Sequence, residues 1–303
     1  MDVGVIGTGQ MGRNHVRVYS ELKEVGNLYI YDLNPESALA VAKQHQAEAV
    51  GSLDELIRKT EAISLCVPTP FHFNTACEVL KGGVGVLIEK PICQTVTEGK
   101  TLLDIIPNDI TVGVGHIERF NPIVREIKNI INDPFYVEFK RHNPTSSRIT
   151  GSSIVEDLMI HDIDIVMNCL FPERPSFTAR GNDDIAAVLG SCGRSTIYLS
   201  ASRKASKKIR MIHIEQEDMT IQGDFMTQEI FVYRKPGQYK IENERYVQEN
   251  IVEKVQVAKL EPLRTELKTF LDCTRSNKPF PITPEQALLN LIVCEEIREN
   301  MST

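Results

Sequence analysis

Residues 3–12 read VGVIGTGQMG, an apolar run followed by glycines at positions 7, 9 and 12. The spacing G-x-G-x-x-G between a strand and a helix is typical of a turn that carries the diphosphate of a dinucleotide. The first glycine makes the turn tight, the second leaves room for the diphosphate, and the third lets the helix pack closely on the strand. The N–H groups that begin such a helix attract an anion. We therefore predict that this turn binds the cofactor through Gly7, Gly9, Gln10, Met11 and Gly12.

A carboxylate supports this interpretation from the end of the second predicted strand. Asp32 lies twenty residues after Gly12, the distance at which such folds place an acid that accepts hydrogen bonds from the ribose hydroxyls. It would also repel a 2'-phosphate, and neither Leu33 nor Asn34 offers a positive charge to bind one. The sequence thus predicts NAD as the cofactor rather than NADP.

Composition limits the class of partner. A chain of 303 residues has room for two domains of ordinary size. Its net charge of -7 argues against nucleic acid or an anionic membrane as a partner. Apolar runs stay well short of the ~20 residues of a spanning helix, and a strand begins almost at Met1. We therefore expect a cytoplasmic protein that binds a small molecule.

The first 115 residues alternate short apolar runs with helical patterns, which predicts a doubly wound parallel sheet covered by helices. The predicted strands are 3–6, 28–31, 62–67, 84–88 and 110–114, and the predicted helices are 11–24, 35–45, 53–59, 73–81 and 95–106. Beyond them the chain is mainly strands between residues 176 and 257, with helices at 122–131, 154–169, 262–274 and 284–300. The fold class is therefore α/β: a doubly wound domain over 1–118 and an α+β domain over 119–303 with a largely antiparallel open sheet. The last helix is expected to be able to pack back on the first domain.

Two further motifs carry candidate chemistry. Lys90, in Glu89-Lys90-Pro91, follows a strand, and ligands of doubly wound sheets bind outside the carboxyl ends of the strands. Asp157 and His161 are four residues apart, so on a helix they share one face, where a carboxylate can orient an imidazole. Each motif also has a plain structural interpretation, as a surface lysine in an ion pair and as an ordinary pair on a helix face. Oxidising an alcohol needs a hydride acceptor and a base, and either Lys90 or His161 could take the proton.

The combined motifs resemble those of the glucose-fructose oxidoreductase, inositol dehydrogenase and rhizopine-catabolism (Gfo/Idh/MocA) family. The resemblance rests on the glycine turn, Pro68 followed by His72, the Glu89-Lys90-Pro91 motif, and the D-x-x-x-H pair at Asp157 and His161. It implies a Rossmann domain followed by an open-sheet domain that often serves for oligomerisation, and hence a homodimer or homotetramer. It also implies that Lys90, Asp157 and His161 are catalytic and that Pro68, His72, Glu89 and Lys90 contribute to the NAD site.

Within the family, residues 115–122 and 155–165 look most like the dehydrogenases that oxidise the 3-hydroxyl of UDP-N-acetylglucosamine or a related nucleotide sugar. A diphosphate in the substrate requires basic or polar partners. The predicted substrate-binding residues are Arg119, Asn121, Arg148 and His161, with Arg203 as a further candidate for the diphosphate. The segment 152–156, SSIVE, departs from the glycine-rich segment of many family members, which argues against a simple free-sugar pocket.

Two alternatives stay open at the level of sequence. One is a dehydrogenase of a free sugar, an inositol or an imine, and the other is a dinucleotide-dependent sensor without turnover. We predict no metal site, because the 7 cysteines and 7 histidines lack ligand spacing.

Overall fold

The computed structural model describes residues 1–144, 153–235, 237, 240–242, 245–247 and 250–301. The chain divides into two units: the first consists of Met1–Phe120 and Glu261–Ile292, and the second of Asn121–Leu260 and Val293–Thr303. The predicted boundary at residues 118 and 119 is close to the first of these divisions. The prediction left residues 261–292 in the second domain, however, whereas the structure assigns them to the first unit.

The first unit is built on a six-stranded parallel sheet with the order β3-β2-β1-β4-β5-β6. Its strands are β1 (Val3–Ile6), β2 (Leu28–Tyr31), β3 (Glu48–Ala49), β4 (Ala62–Leu65), β5 (Gly85–Glu89) and β6 (Val112–Gly115). Every residue of β1, β4, β5 and β6 is buried, as expected for central parallel strands covered on both faces. The strand order reverses beside β1, so the carboxyl ends of β1 and β4 flank the crevice in which such folds bind ligands.

Five helices connect these strands: α1 (Gln10–Glu21), α2 (Pro35–His45), α3 (Leu53–Lys59), α4 (His72–Lys81) and α5 (Val96–Ile105). Local sequence explains where several of them begin. The Asn34 side chain accepts from the backbone N–H groups of Glu36 and Ser37 at the start of α2. Thr95 and Glu98 form a reciprocal capping box at the start of α5. Such caps satisfy N–H groups that have no partner within the helix, which is why these starts were predictable.

The second unit begins with α6 (Pro122–Ile130) and contains an eight-stranded sheet with the order β16-β13-β12-β11-β7-β10-β9-β8. Its strands are β7 (Tyr136–His142), β8 (Ser176–Asn182), β9 (Ile185–Cys192), β10 (Ser195–Ser202), β11 (Ile209–Glu215), β12 (Met219–Asp224), β13 (Glu229–Arg234) and β16 (Val252–Val255), and β14 (Lys240–Glu242) pairs separately with β15 (Arg245–Val247). Neighbouring strands are antiparallel except for the parallel pair β7 and β10. The structure thereby confirms the predicted fold class.

A helical segment over residues 155–170 packs against this sheet. It consists of a π-helical turn at Val155–Met159, the α-helical turn α7 (Ile160–Ile165) and a second π-helical turn at Val166–Leu170. The predicted helix at 154–169 is therefore present, with an irregular backbone. π-Helical turns are frequent at functional sites, so the irregularity falls where Asp157 and His161 were singled out.

Two helices end the chain, α8 (Pro262–Ser276) and α9 (Pro284–Met301). α8 packs on α1 and adds Leu263, Leu267 and Phe270 to the core of the first unit. The Thr283 hydroxyl accepts from the N–H of Gln286 at 3.4 Å at the start of α9. No helix among the described residues is long and apolar enough to cross a membrane.

The strands that sequence analysis missed are short or polar. β3 pairs with β2 through only two residues, Glu48 and Ala49. β8 carries many exposed residues and ends at Gly181 and Asn182, so its apolar pattern is weak. β14 and β15 have three residues each.

Candidate functional site

The glycine turn has the geometry that its spacing predicted. Gly7 has φ of 92°, and a Cβ on Gly12 would lie 1.9 Å from the Gly7 carbonyl oxygen. A Cβ on Gly9 would meet nothing within 4 Å, so open space lies beside it. Gly9 is also the N-cap of α1, and no side chain occupies the first N–H groups of that helix. The turn therefore presents free N–H groups to open space, which fits a diphosphate.

Asp32 closes one side of this turn. One of its oxygens accepts from the backbone N–H of Thr8 at 2.6 Å and from the Thr8 hydroxyl at 2.7 Å, and the other accepts from the N–H of Asn34 at 2.8 Å. Burial alone would raise the pKa of Asp32, but these hydrogen bonds and the charge of Arg13 outweigh it and lower the pKa. The side chain is therefore a carboxylate at neutral pH. Sequence analysis did not single out Thr8, whose hydroxyl could have indicated a partner for the acid.

A cavity of about 870 Å³ lies over the carboxyl ends of the strands of the first unit. Of the predicted cofactor-binding residues, all except Gln10 and Gly12 line it. Gly12 instead packs against Gly7, and Gln10 is exposed at the start of α1. The cavity brings Asp32 and Lys90 to the same space as the glycine turn. Its size and lining suit a dinucleotide, with Asp32 as the group that would hold a ribose.

His72 lines the cavity but is almost entirely buried. Its ring nitrogens lie 2.8 Å from the Pro91 carbonyl oxygen and 2.8 Å from the Val67 carbonyl oxygen. Burial lowers the pKa of His72 in spite of these two oxygens, so the ring is neutral at pH 7 and donates to one of them at a time. His72 thus connects the segment after β4 to the segment after Lys90. In this position it supports the wall of the cavity.

Glu89 is the last residue of β5, Lys90 follows it, and both line the cavity. One Glu89 oxygen lies 2.9 Å from Nε2 of His15, and the other accepts from the backbone N–H of Lys90 at 3.3 Å. Burial raises the pKa of Glu89, but the hydrogen bond from His15 and the charges of His15 and Lys90 lower it further than burial raises it. Glu89 is therefore ionised and lies against the backbone that carries Lys90.

In the second unit, Asp157 is held by an arginine distant in sequence. Its Oδ2 accepts from Nε of Arg203 at 3.3 Å and from Nη2 at 3.2 Å, and Arg203 also donates to the Asp183 carbonyl oxygen. Arg203 is buried, so its charge is used within the protein. The diphosphate contact predicted for Arg203 stays a prediction. His161 lies four residues after Asp157 and is partly buried.

A model of the oxidoreductase family with an NAD-binding Rossmann fold (GFO_IDH_MocA) matches residues 1–116. The UDP-N-acetylglucosamine 3-dehydrogenase of Acidithiobacillus ferrooxidans is 28% identical over 296 residues, which cover 92% of this chain and 90% of that protein. Its crystal structure superimposes with a TM-score of 0.88, covering 99% of this chain and 97% of that one at 26% identity. Residues 1–116 therefore match the NAD-binding Rossmann domain of the Gfo/Idh/MocA oxidoreductases, and nearly the whole chain is similar to that dehydrogenase in sequence and fold.

Other proteins similar to this chain are named for different substrates. The inositol 2-dehydrogenase of Rhizobium meliloti is 25% identical over 217 residues, which cover 66% of each chain. A levoglucosan dehydrogenase solved with NADH and levoglucosan shares the fold at a TM-score of 0.83 and 17% identity, covering 100% of this chain and 97% of that one. The two relatives that are similar in sequence are thus both named dehydrogenases, but they are named for different substrates.

The other predicted substrate-binding residues have different surroundings. Arg119 is partly buried and donates to the Gln286 side chain at 2.9 Å. Asn121 caps α6 by accepting from the N–H of Ile123 and donates to the Phe225 carbonyl oxygen. The capping role accounts for the burial of Asn121 without a substrate contact. Arg148 lies outside the described residues.

The fold also brings together three donor side chains that have no motif spacing in sequence. The ligand atoms of His15, Cys66 and Glu89 lie within 4.8 Å of one another, and all three residues are buried. Burial raises the pKa of the Cys66 thiol, and the negative charge of Glu89 adds to this. The thiol is therefore protonated, and the His15–Glu89 hydrogen bond is the contact that organises the group.

Proposed function

We propose that this oxidoreductase uses NAD to oxidise the 3-hydroxyl of UDP-N-acetylglucosamine or a related nucleotide sugar to a ketone. The observation that carries the proposal is the shared cavity of the glycine turn, Asp32 and Lys90. It joins a dinucleotide site to a side chain able to exchange a proton. The substrate follows from the relative from Acidithiobacillus ferrooxidans, whose similarity extends over nearly the whole of both chains.

NAD is favoured over NADP because Asp32 is ionised. Its carboxylate would accept from the ribose hydroxyls of NAD and repel the 2'-phosphate of NADP. Arg13 lies close by, with Nε donating to the Thr8 carbonyl oxygen at 2.9 Å. Its charge lowers the pKa of Asp32, so Arg13 supports the anionic state of the acid rather than a phosphate site.

The chemistry divides between a bound cofactor and this chain's own side chains. NAD, when bound, supplies the hydride acceptor. Lys90 is the proposed base that takes the proton of the reacting hydroxyl, and His161 is the alternative base. Asp157, fixed by Arg203, orients His161. Arg119 and Arg148 are the proposed partners of the substrate diphosphate.

A dehydrogenase of a free sugar or an inositol is the second candidate. The inositol 2-dehydrogenase of Rhizobium meliloti, which covers 66% of this chain, favours it. The two candidates differ in whether a diphosphate is required, and they share the roles of Asp32 and Lys90.

We also propose that the protein is a homodimer or homotetramer that uses the open face of the eight-stranded sheet. Leu189 and Tyr198 are register partners on that face, and Met211 lies on it two strands beyond Tyr198. Leu189 is 54% exposed and Met211 40%. Exposed apolar patches of this kind mark interaction surfaces, and the family resemblance points to a second copy of the chain.

The test of the catalytic assignment is Lys90→Ala, assayed by NADH formation with UDP-N-acetylglucosamine and a carbonyl trap. We expect turnover to fall roughly 10²–10⁴-fold while the Kd for NAD changes little. Lys81→Ala, at an exposed position at the end of α4, is the matched control and should behave as wild type. Unchanged turnover in Lys90→Ala would remove Lys90 from the mechanism.

A further inference from the structure

A buried polar cluster lies beneath the cavity of the first unit. It contains His15 from α1, Cys66 after β4, Glu89 from β5 and Glu266 from α8. His15 and Glu266 are 0% exposed. Burying two carboxyl groups and an imidazole in a domain core is costly unless their charges are compensated. Such a cluster therefore needs an explanation beyond packing.

The two carboxyl groups of the cluster have opposite charge states. Glu89 has a lowered pKa, as described above. Burial raises the pKa of Glu266 well above its ordinary value, and the negative charge of Glu89 raises it further. Neither oxygen of Glu266 has a hydrogen-bond partner among the described residues. Glu266 is thus a neutral acid at pH 7, and Glu89 is the anion that the cluster stabilises.

His15 is the residue that stabilises this anion. Its Nε2 lies 2.9 Å from the nearer Glu89 oxygen, within the range of a strong hydrogen bond to a charged acceptor. The other ionisable groups that act on Glu89 are Lys90 and the neutral His72, and the protonated Cys66 thiol lies in contact range. The His15 side chain donates a hydrogen bond to the carboxylate through Nε2.

Glu89 in turn acts on Lys90 in two ways. Its second oxygen accepts from the Lys90 backbone N–H, which fixes the point where the Lys90 side chain leaves the strand. The charge of Lys90 also lowers the pKa of Glu89. Because electrostatic coupling is reciprocal, the anion must favour the ammonium form of Lys90 to the same extent.

We propose that His15 is a positioning residue for Lys90, acting through Glu89. The helix that presents the glycine turn thereby also sets the geometry and the proton affinity of the base. When Lys90 takes the proton of the reacting hydroxyl, an ammonium forms, and the anion held by His15 stabilises that charge. This inference rests on the proposed role of Lys90, but it concerns a property of Lys90 that can be measured without a substrate.

The test is a titration of Lys90 in the whole protein. Lysine amines are dimethylated with ¹³C-formaldehyde and followed by NMR against pH, and the Lys90 signal is assigned by its loss in Lys90→Arg. We expect the pKa of Lys90 to fall by about one unit in Glu89→Gln, which removes the anion beside it. It should also fall in His15→Ala, because Glu89 then loses the hydrogen bond that holds it ionised. His15→Gln retains a donor and should cause a smaller fall. Glu266→Gln is the matched control and should leave the titration unchanged, because Glu266 is already neutral.

An unchanged Lys90 titration in Glu89→Gln and His15→Ala would overturn the inference. If His15→Ala does not fold, the Lys90 titration in the isosteric variant Glu89→Gln decides alone whether the inference holds. A stoichiometric metal ion in the purified protein that is lost in Cys66→Ala would also overturn it, because a metal on these three residues replaces the His15–Glu89 hydrogen bond. Shifted titrations in a protein that oxidises no sugar would refute the proposed function and leave this inference standing.

Discussion

At the scale of single residues, Asp32 is proposed to select NAD over NADP. Its carboxylate is held by Thr8 and Asn34 and faces the cavity. Removing its charge while keeping its shape should weaken NAD binding and relieve the repulsion of NADP. For Asp32→Asn we expect the Kd for NAD to rise roughly 10-fold or more, the worth of a hydrogen bond to a charged group.

Calorimetric titration with each dinucleotide measures both effects for Asp32→Asn. The Kd for NADP should fall in the same variant. Asp104→Asn, at an exposed position in α5, is the control and should match wild type. An unchanged ratio of the two dissociation constants would contradict the assigned role of Asp32.

Glu266 gives a second prediction, on stability and pH. Its pKa is raised in the folded state, so it remains protonated where the unfolded chain ionises. The folded state then binds more protons, and stability falls as pH rises above the ordinary glutamate pKa. Glu266→Met removes this cost and an unsatisfied buried acid, so we expect it to stabilise the protein at pH 7 by roughly 1–3 kcal/mol.

Thermal unfolding across pH checks this prediction. The difference in Tm between Glu266→Met and wild type should grow from pH 4 to pH 7. Glu36→Met, exposed in the first turn of α2, should show no such trend. A variant that is less stable than wild type at pH 7 would show that the Glu266 carboxyl contributes favourably to the fold.

At the scale of elements, two glycines at the junction of β1 and α1 have different predicted roles. Gly12 lets the helix pack closely on the strand, and Gly9 leaves space for the diphosphate. A Cβ on Gly12 would lie 1.9 Å from a backbone oxygen, whereas a Cβ on Gly9 meets nothing within 4 Å. Gly12→Ala must displace α1 from β1 and should destabilise the protein by at least 1–3 kcal/mol, a typical cost of overpacking. Gly9→Ala should fold normally but fill space beside the helix N-terminus and weaken NAD binding.

Denaturant unfolding and NAD titration of the two variants distinguish these roles. Equal stability of Gly12→Ala and wild type would contradict the packing role of Gly12. Undiminished NAD affinity of Gly9→Ala would show that the diphosphate does not lie beside residue 9.

Local spacing explains which parts of the site were predictable from sequence. The turn at Gly7 and the acid at Asp32 belong to one strand–helix–strand unit, so their geometry follows from their spacing. His15 and Glu89 are separated by 74 positions, and Asp157 and Arg203 by 46. These contacts depend on how distant elements pack, and no local pattern indicates them. The amphipathic pattern of α8 likewise predicts a buried face without identifying the core that buries it.

At the scale of the whole molecule, the open sheet predicts the state of assembly. Leu189, Tyr198 and Met211 share its exposed face, and burying them against a second copy would remove apolar surface from water. We expect light scattering to give the mass of a dimer or tetramer for wild type and of a monomer for the double variant Leu189→Asp, Met211→Asp. A Leu33→Asp variant, at an exposed position in the first unit, should keep the wild-type mass. A monomeric wild type would contradict the proposed interface.

A comparison of substrates tests most directly whether the protein oxidises the 3-hydroxyl of UDP-N-acetylglucosamine or a related nucleotide sugar. NADH formation should be measured with UDP-N-acetylglucosamine, free N-acetylglucosamine and myo-inositol, each with NAD and a carbonyl trap. We expect reduction of NAD with UDP-N-acetylglucosamine, a product oxidised at carbon 3, and far slower reduction with the two compounds that lack a diphosphate. Reduction with myo-inositol or the free sugar and none with UDP-N-acetylglucosamine would contradict the proposed function.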